Sequence, residues 1–244
     1  MSKSIAITGE DILNHLKLSL QIPEVIQGIM SRKIIINAAL EAGIKVETQE
    51  LQKAANTIRL LQGLHTAEET FTWLEKHCLS VDKFEETAYL SLISQKLISH
   101  LFSEKVEPYF NQNKWDYVGV VMYEIMLDDP DLAMKLFSAI EKKKISFYEV
   151  AHQYIQDQEL RRRGGYRGVL YRQDLKPEIA AAVFAARPPQ MIKPIITSEG
   201  IYLIFVEEIL QAELDCQLRS KILLRLFEEW VKQQVKSVEV VNNF

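Results

Sequence analysis

The sequence predicts an α+β protein whose first part is helical, whose second part contains strands, and whose last part is a helix. Up to about residue 113, apolar residues recur at helical spacing with almost no strand signal. Residues 117–127 then form a nearly continuous apolar run rich in β-branched side chains, which predicts a buried strand, and residues 201–206 predict another. Residues 211–236 return to helical spacing, so we expect a final helix that packs on the helical N-terminal part.

The composition is that of a globular protein with no strong excess of either charge. Of its 244 residues, 48% are hydrophobic and 25% are charged, and the formal net charge is −4. Binders of nucleic acid or of anionic membranes need concentrated Lys and Arg, so both classes are disfavoured, although Arg161-Arg162-Arg163 is a local basic exception. The first residues lack the apolar core of a signal peptide, and no later run approaches about 18 uncharged apolar residues. We therefore expect a soluble, cytoplasmic protein without membrane insertion.

No pattern predicts a metal or a cofactor. Cys78 and Cys216 lie far apart in helix-like sequence, so they predict neither a disulfide framework nor the spacing of metal ligands. The histidines are scattered without a partner four residues away, and each is interpreted as a surface or core residue. These histidines are His15, His65, His77, His100 and His152, of which His152 lies closest to the glycine-rich stretch.

Capping patterns and helix breakers divide the helical first part. Thr8 precedes acidic residues, which favour the positive end of a helix. Thr66 and Glu69 form a capping-box sequence, and Gly43 and Gly63 each end a helical pattern. The helices predicted in this way cover residues 10–20, 24–42, 45–62, a short stretch after Thr66, and 82–102.

The second part combines further helices with short extended pieces. Residues 131–142 and 147–155 have helical spacing, and the lysines at 142–144 are interpreted as a solvated helix end, where cations interact favourably with the helix dipole. Residues 174–186 predict another helix, and residues 191–196 predict an extended piece before the last strand.

The most unusual stretch is Gly164-Gly165-Tyr166-Arg167-Gly168. Three of the chain's 9 glycines lie within it, which predicts a backbone turn with positive φ or a close approach to other atoms. The pattern Gly-Gly-x-x-Gly is not interpreted as a phosphate loop, because no strand precedes it and no Lys-Ser/Thr pair follows it.

Several short motifs follow these glycines at fixed spacing. Their order is Gly-Gly-x-x-Gly, then Leu-x-Pro-Glu and Phe-Ala in a helix, then Pro-Ile-x-Thr-x-x-Gly and a closing strand. In this order, residues 116–209 resemble the parvulin (PpiC, rotamase) family of peptidyl-prolyl cis–trans isomerases. The preceding helical part and the returning last helix are similar to the SurA and PrsA type of foldase. The matching residues are Gly164, Gly165, Gly168, Leu175, Phe184, Pro194, Thr197 and Gly200.

The resemblance implies a fold and a reaction. The fold is a small, mainly antiparallel sheet wrapped by helices, with a helical chaperone-like domain at 1–113, a parvulin-like domain at 114–210, and a C-terminal helix and tail at 211–244. The reaction is isomerisation of Xaa-Pro bonds in unfolded proteins or peptides, without a cofactor. Its barrier of roughly 18–20 kcal/mol comes from amide resonance, and no covalent bond is broken. A pocket that grips the proline ring and stabilises the twisted amide therefore suffices.

The resemblance also implies site residues. Asp157 lies seven positions before the first glycine of the stretch, where parvulins carry an active-site Cys or Asp. Leu175, Ile179 and Phe184 take the places of the proline pocket, and Thr197 matches the family as it stands. Ordinary core packing would equally explain the three apolar residues, and a solvated partner for the neighbouring arginines would explain Asp157.

The two histidines that parvulins usually carry are absent. Glu124 stands in the place of the first histidine and Tyr202 in the place of the second. Since a glutamate in an apolar strand is costly unless it is hydrogen-bonded, we expect a Glu124–Tyr202 contact, which either serves the site or only holds the sheet together. Arg163 and Arg167 lie at the edge of the glycine bend and are assigned to substrate binding. If they line the groove, acidic residues before proline should be preferred.

Three functions remain open at this point. In the first, the chain is an active isomerase. In the second, it is a parvulin-fold escort with little or no turnover, which binds a precursor peptide or protein for maturation or export. In the third, the helical part binds a partner and the parvulin domain is only a scaffold. These patterns predict neither the oligomeric state nor which half of the chain binds the client.

Overall fold

The computed structural model describes residues 5–239. Within that range, no helix is long and apolar enough to cross a membrane. The helices are α1 (Gly9–Leu18), α2 (Ile22–Glu41), α3 (Thr48–Leu61), α4 (Ala67–Lys76), α5 (Val81–Phe102), α6 (Val106–Gln112), α7 (Pro130–Glu141), α8 (Phe147–Tyr154), α9 (Gln158–Arg162), α10 (Pro177–Phe184) and α11 (Cys216–Lys236). The strands are β1 (Gly119–Leu127), β2 (Tyr166–Tyr171), β3 (Gln190–Thr197) and β4 (Gly200–Leu210).

The chain divides into two compact units. The first unit consists of the residues up to Glu107 together with those from Cys216 onward, and the second is Pro108–Asp215. The strands found among the described residues all belong to the second unit, which confirms the α+β prediction. A division by packing does not test functional boundaries, so the domain limits 1–113, 114–210 and 211–244 stay predictions.

In the first unit, capping side chains start the helices where the sequence places them. The Thr8 hydroxyl accepts a hydrogen bond from the Asp11 amide at 3.2 Å, and the Thr66 hydroxyl accepts one from the Glu69 amide at 3.1 Å. These bonds satisfy amides of the first helical turn that have no partner within the helix. The helices predicted in this part are confirmed, with ends that shift by a few residues.

The last helix packs on the N-terminal helices, as predicted. Phe227 of α11 lies in one buried cluster with Ala39 of α2 and with Ile93 and Leu97 of α5. Its ring meets the ring of Phe102 edge to face, with the ring centroids 6.5 Å apart. The helix begins at Cys216 rather than near residue 211, because β4 continues to Leu210.

The second unit is built on an antiparallel sheet of four strands in the order β2-β1-β4-β3. Successive side chains of a strand point to opposite faces, so each face has its own core. One core packs the β1 residues Ile125 and Leu127 against α7 and α8, and the other packs Val120 and Met122 against α10. The sheet is therefore covered by helices on both faces.

Several elements were missed or misplaced in the sequence, among them α6, for which no helix was predicted. Residues 166–171 form β2, although Gly168 and the polar residues around it hide the strand alternation. The helix α9 has only 5 residues, too few for a periodic pattern. The helix predicted over 174–186 begins at Pro177, because proline fits the first helical turn but not the interior.

The glycine stretch joins α9 to β2 and touches the middle of the sheet. Gly164 and Gly165 have φ of +63° and +87°, and the Gly165 carbonyl accepts a hydrogen bond from the Glu124 amide at 2.9 Å. A Cβ on Gly165 would lie 2.8 Å from the Glu124 carbonyl oxygen, closer than Cβ atoms approach other atoms in proteins. Glycine is therefore required here by both backbone conformation and space.

Substitution of Gly165 by alanine tests this requirement, with Gly168→Ala as the matched control. Both residues have positive φ, but an added Cβ at Gly168 meets nothing within 4 Å. The strained φ costs about 1–2 kcal/mol in either variant, and the clash adds about 1–3 kcal/mol only at Gly165. Calorimetric melting should therefore show a clearly lower Tm for Gly165→Ala than for Gly168→Ala; equal Tm values would contradict the close approach to β1.

Candidate functional site

An apolar cluster on the α10 side of the sheet brings together four of the residues singled out in the sequence. Ile179 and Tyr202 are members of its buried core, and Leu175 and Phe184 pack against that core as half-buried residues. Strand and helix periodicity explain this meeting, since β4 and α10 each direct one face into the cluster. Core packing alone explains the buried Ile179 and Tyr202, whereas Leu175 and Phe184 have accessible surface that a ligand can contact.

Glu124 extends the same face of the sheet beyond the cluster. It pairs across the ladder with Ile204, a buried member of the cluster, and its side chain is 16% exposed. Burial raises the pKa of the Glu124 carboxyl, while the positive charges of Arg167 and Lys176 act in the opposite direction. A partly buried carboxyl beside an apolar cluster is a group whose protonation responds to what binds there.

Arg167 is the ion-pair partner of Glu124. Its Nε lies 3.3 Å from Glu124 Oε1. The register of β1 against β2 shifts between Met122 and Tyr123, so that Gly168 and Tyr166 face adjacent β1 residues and Arg167 is the extra residue of a bulge. Bulges commonly re-aim a side chain, and here the bulged arginine meets the carboxylate of β1.

Lys176 is a second cation at the cluster, and sequence reasoning missed it. Its Nζ lies 5.4 Å from the centroid of the Tyr202 ring and 2.7 Å from Glu199 Oε2. The Glu199 carboxylate raises the pKa of the Lys176 ammonium, which stays protonated. The one signal in the sequence was its position directly before Pro177, at the start of a helix.

Arg172 is a third cation at the cluster that the sequence did not reveal. Its guanidinium carbon lies 4.8 Å from the centroid of the Phe184 ring. Arg172 directly follows β2, so a correct prediction of that strand would have been needed to place it. Arginine stacks well on aromatic faces, and this contact covers part of a predicted pocket residue.

Glu124 and Tyr202 have separate cationic partners in place of the direct contact expected from the sequence. The Glu124 carboxylate pairs with Arg167, and the Tyr202 ring lies beneath Lys176. The physical reason is register, because Glu124 faces Ile204 and Tyr202 faces Met126, so the two side chains stand diagonally across the ladder.

Three further predicted site residues have local roles. Asp157 caps α9 by accepting a hydrogen bond from the Leu160 amide at 2.7 Å. The Thr197 hydroxyl donates to the Gly200 carbonyl at 3.0 Å, within the turn between β3 and β4. Arg163 is exposed at the end of α9. Nothing in these contacts joins the three residues to the apolar cluster, and their roles in a site stay predictions.

The first unit contains a separate apolar groove of about 310 Å³ between α3, α4 and α5. Phe71 and Val81 in its wall are 57% and 48% exposed, which is high for large apolar side chains. Arg59 and Glu85 lie among its polar lining residues. The chain thus offers apolar surface in both units.

No group of three or more His, Cys, Asp and Glu side chains within residues 5–239 is placed to hold a metal ion. His152 lies on α8, where its ring packs against the ring of Tyr148 with the centroids 4.5 Å apart. The two cysteines are free and exposed.

Comparison with protein families identifies the second unit. Residues 130–208 match the rotamase model described as a PPIC-type PPIASE domain, so the chain carries a parvulin-type rotamase domain. The matched range includes Leu175, Ile179, Phe184 and Tyr202, whereas Glu124 precedes it. No curated protein matches the sequence.

Solved structures resemble the chain over most of its length. PrsA from Bacillus cereus, described as a peptidylprolyl isomerase, is 16% identical with a TM-score of 0.53, and the match covers 100% of this chain and 92% of that one. PrsA from Bacillus anthracis is 16% identical with a TM-score of 0.48, covering 90% and 100%. A SurA-like chaperone from Campylobacter jejuni is 19% identical with a TM-score of 0.38, covering 81% and 88%. The Bacillus cereus match, at 16% identity, shows the fold alone and not the activity.

The raised pKa of Glu124 predicts a stability difference that depends on pH. Because the folded pKa of this carboxyl lies above the 4.5 of an ordinary glutamate, ionisation destabilises the folded state; this penalty is absent well below pH 4.5, grows as pH rises from 4.5 to the folded pKa, and is complete above it. Glu124→Gln should therefore raise the Tm at pH 7, because it removes the cost of an ionised carboxylate with little access to water. The gain should vanish as pH falls well below 4.5.

The control for this prediction is Glu208→Gln, which changes an exposed glutamate of β4 in the same way. It should leave the Tm within about 1 °C at every pH, as is usual for surface substitutions. A lower Tm for Glu124→Gln at pH 7, or a gain that persists unchanged at pH 4, would contradict burial as the dominant influence on this carboxyl.

Proposed function

We propose that this protein is a peptidyl-prolyl cis–trans isomerase that acts on proline-containing segments of peptides or unfolded proteins. The observation that carries the proposal is the position of the apolar cluster within the rotamase domain, with the partly buried Glu124 and its ion-pair partner Arg167 beside it. The resemblance of the chain to proteins described as peptidylprolyl isomerases supports it.

Isomerisation asks little covalent chemistry of a site. The barrier of roughly 18–20 kcal/mol arises because the planar amide loses resonance as it twists. A site lowers the barrier when it binds the twisted amide more tightly than either planar form. Apolar contact with the proline ring on one side and a fixed charge near the carbonyl on the other achieve this difference.

The described side chains supply both parts. Leu175 and Phe184 have exposed surface for the proline ring, above the buried Ile179 and Tyr202. We assign the polar part to Arg167, because its pairing with Glu124 uses Nε and leaves the terminal nitrogens to donate to a substrate carbonyl. Glu124 is then a positioning residue that fixes the guanidinium.

This assignment replaces the histidine pair of the parvulin family by a charged pair. We propose that Glu124 and Tyr202 occupy the two histidine positions, and that Arg167 and Lys176 provide the donors near them. Glu124 is the more buried member of its pair with Arg167, with its side chain 16% exposed, so its charge holds the Arg167 guanidinium more strongly than an exposed carboxylate would.

A second candidate function is that of an escort that binds a client segment without efficient turnover. It is favoured by the local hydrogen bonds of Asp157 and Thr197, which engage the two polar residues that a parvulin site would use. The apolar groove between α3, α4 and α5 gives such an escort further binding surface.

Exchange spectroscopy by NMR on a short Xaa-Pro peptide distinguishes the two functions. The full chain should accelerate exchange between the cis and trans forms, and Arg167→Ala should lower kcat/KM by roughly 100-fold, the lower end of the loss seen when a stabilising donor is removed. Leu175→Ala should raise KM for the same peptide, since it removes contact with the proline ring in both planar forms.

Matched controls come from the same domain. Arg187→Ala removes an exposed arginine outside the cluster, and Ile196→Ala removes an apolar side chain that is 72% exposed; both should retain wild-type kcat/KM. Exchange at the uncatalysed rate, combined with saturable binding of the peptide, would overturn the isomerase proposal in favour of the escort.

A further inference from the structure

The segment from Arg161 to Arg172, named here the arginine segment, is the most basic stretch of the second unit. It contains five arginines, and no acidic residue occurs between positions 160 and 173. The chain as a whole has a formal net charge of −4, so this concentration runs against its average. The five arginines are Arg161, Arg162, Arg163, Arg167 and Arg172.

The backbone gathers these arginines along one edge of the sheet. The amides of Gly164 and Gly165 donate to the carbonyls of Arg161 and Leu160, both at 2.9 Å, which folds the end of α9 against the start of β2. The strand then carries Arg167 and ends directly before Arg172. Six extended residues span about 20 Å, so the arginines line a path of that length.

Most of this positive charge is not neutralised by carboxylates in the part of the chain that the structure describes. Among residues 5–239, Arg167 is the member of the segment that forms an ion pair with a carboxylate, that of Glu124. Arg172 lies over the Phe184 ring, and Arg162 and Arg163 are exposed. An acidic partner would therefore meet arginines that have no competing carboxylate to displace.

The strand itself offers a second kind of recognition. β2 is an edge strand, since the sheet order is β2-β1-β4-β3, and Tyr166, Val169 and Tyr171 on it are 37%, 45% and 40% exposed. The outer edge of such a strand presents backbone N–H and C=O groups at the spacing of another extended chain. A polypeptide matches this pattern, whereas the backbone of a nucleic acid does not.

We propose that the arginine segment and the outer edge of β2 bind an extended acidic peptide segment, whether or not it contains proline. Backbone pairing with β2 supplies register, and carboxylates of the partner meet the arginines on either side. Arg167 contacts Glu124 and Arg172 contacts Phe184, so the middle and the C-terminal end of this surface reach the candidate site. An acidic stretch next to a proline would thus be held while the proline occupies the cluster.

Charged residues on edge strands also have a simpler use, which the experiment must separate from binding. Natural proteins place charges on such edges to prevent strand pairing between molecules. Arginines that serve only this purpose repel other strands and bind no acidic peptide, so the two roles predict opposite results.

Fluorescence anisotropy with the full chain tests the proposal. The probe is a labelled, proline-free ten-residue peptide of alternating Glu and Val, and the reference is its counterpart with Lys in place of Glu. We expect saturable binding of the acidic peptide alone, weakened by roughly tenfold between 50 and 500 mM NaCl because salt screens exposed charges. Since the probe lacks proline, this result is independent of the isomerase proposal.

Charge variants locate the site. Arg162→Glu with Arg163→Glu should weaken binding of the acidic peptide at least tenfold. Lys142→Glu with Lys144→Glu, which changes the net charge equally on an exposed lysine run of the same unit, should leave the Kd within twofold. Circular dichroism confirms that both double variants are folded.

Methylated peptides test the pairing with β2. Two acidic peptides are each N-methylated at alternate residues, so that each peptide lacks the amide protons along one of its two edges when extended. The peptide methylated on the edge that faces away from β2 should bind like the parent, and the peptide methylated on the edge that faces β2 should lose binding. If the parent peptide shows no saturation up to about 1 mM, its affinity is too weak for recognition. That result would overturn the proposal and leave the arginines as edge protection. Equal loss in both charge variants, or tighter binding of an oligothymidine of the same charge, would overturn it as well.

Discussion

The candidate site of the second unit depends on the way Glu124 is accommodated in β1, one of the two inner strands of the sheet. A carboxyl with little exposure loses hydration that it must recover from partners in the protein. The Glu124 amide donates to the Gly165 carbonyl, and the Glu124 carboxylate pairs with Arg167. The backbone and the side chain of one residue therefore both bind the segment that leads into β2. The glycines, the bulge and the ion pair all lie at one place, where β1 meets the start of β2.

This juncture places charge beside apolar surface. The cluster of Leu175, Ile179, Phe184 and Tyr202 lies on the face of the sheet from which Glu124 also projects. Each element at its rim brings a cation: Arg167 from the bulge and Lys176 from the start of α10. A proline ring is apolar and its preceding carbonyl is a strong dipole, so a site of this composition matches both halves of an Xaa-Pro unit.

The sequence predicted the parts of this arrangement that depend on local pattern. Leu175, Ile179 and Phe184 follow helical spacing and a family motif, so their shared cluster could be anticipated. Lys176 and Arg172 could not, because the contacts of a long, flexible side chain depend on which surfaces tertiary packing brings near it. The strand β2 escaped prediction because the bulge at Arg167 and the glycine after it break the period of two that identifies strands. Asp157 has the sequence of a helix cap, and α9 was too short to reveal it.

The most direct test of the account is the location at which a proline segment binds. NMR titration of the methyl- and ring-labelled full chain with a neutral tetrapeptide containing one proline reports this location for both units at once. We expect the largest shift changes at Leu175, Ile179 and Phe184, on the α10 side of the sheet. Largest changes at Leu51 and Val81, in the groove between α3, α4 and α5, would contradict it.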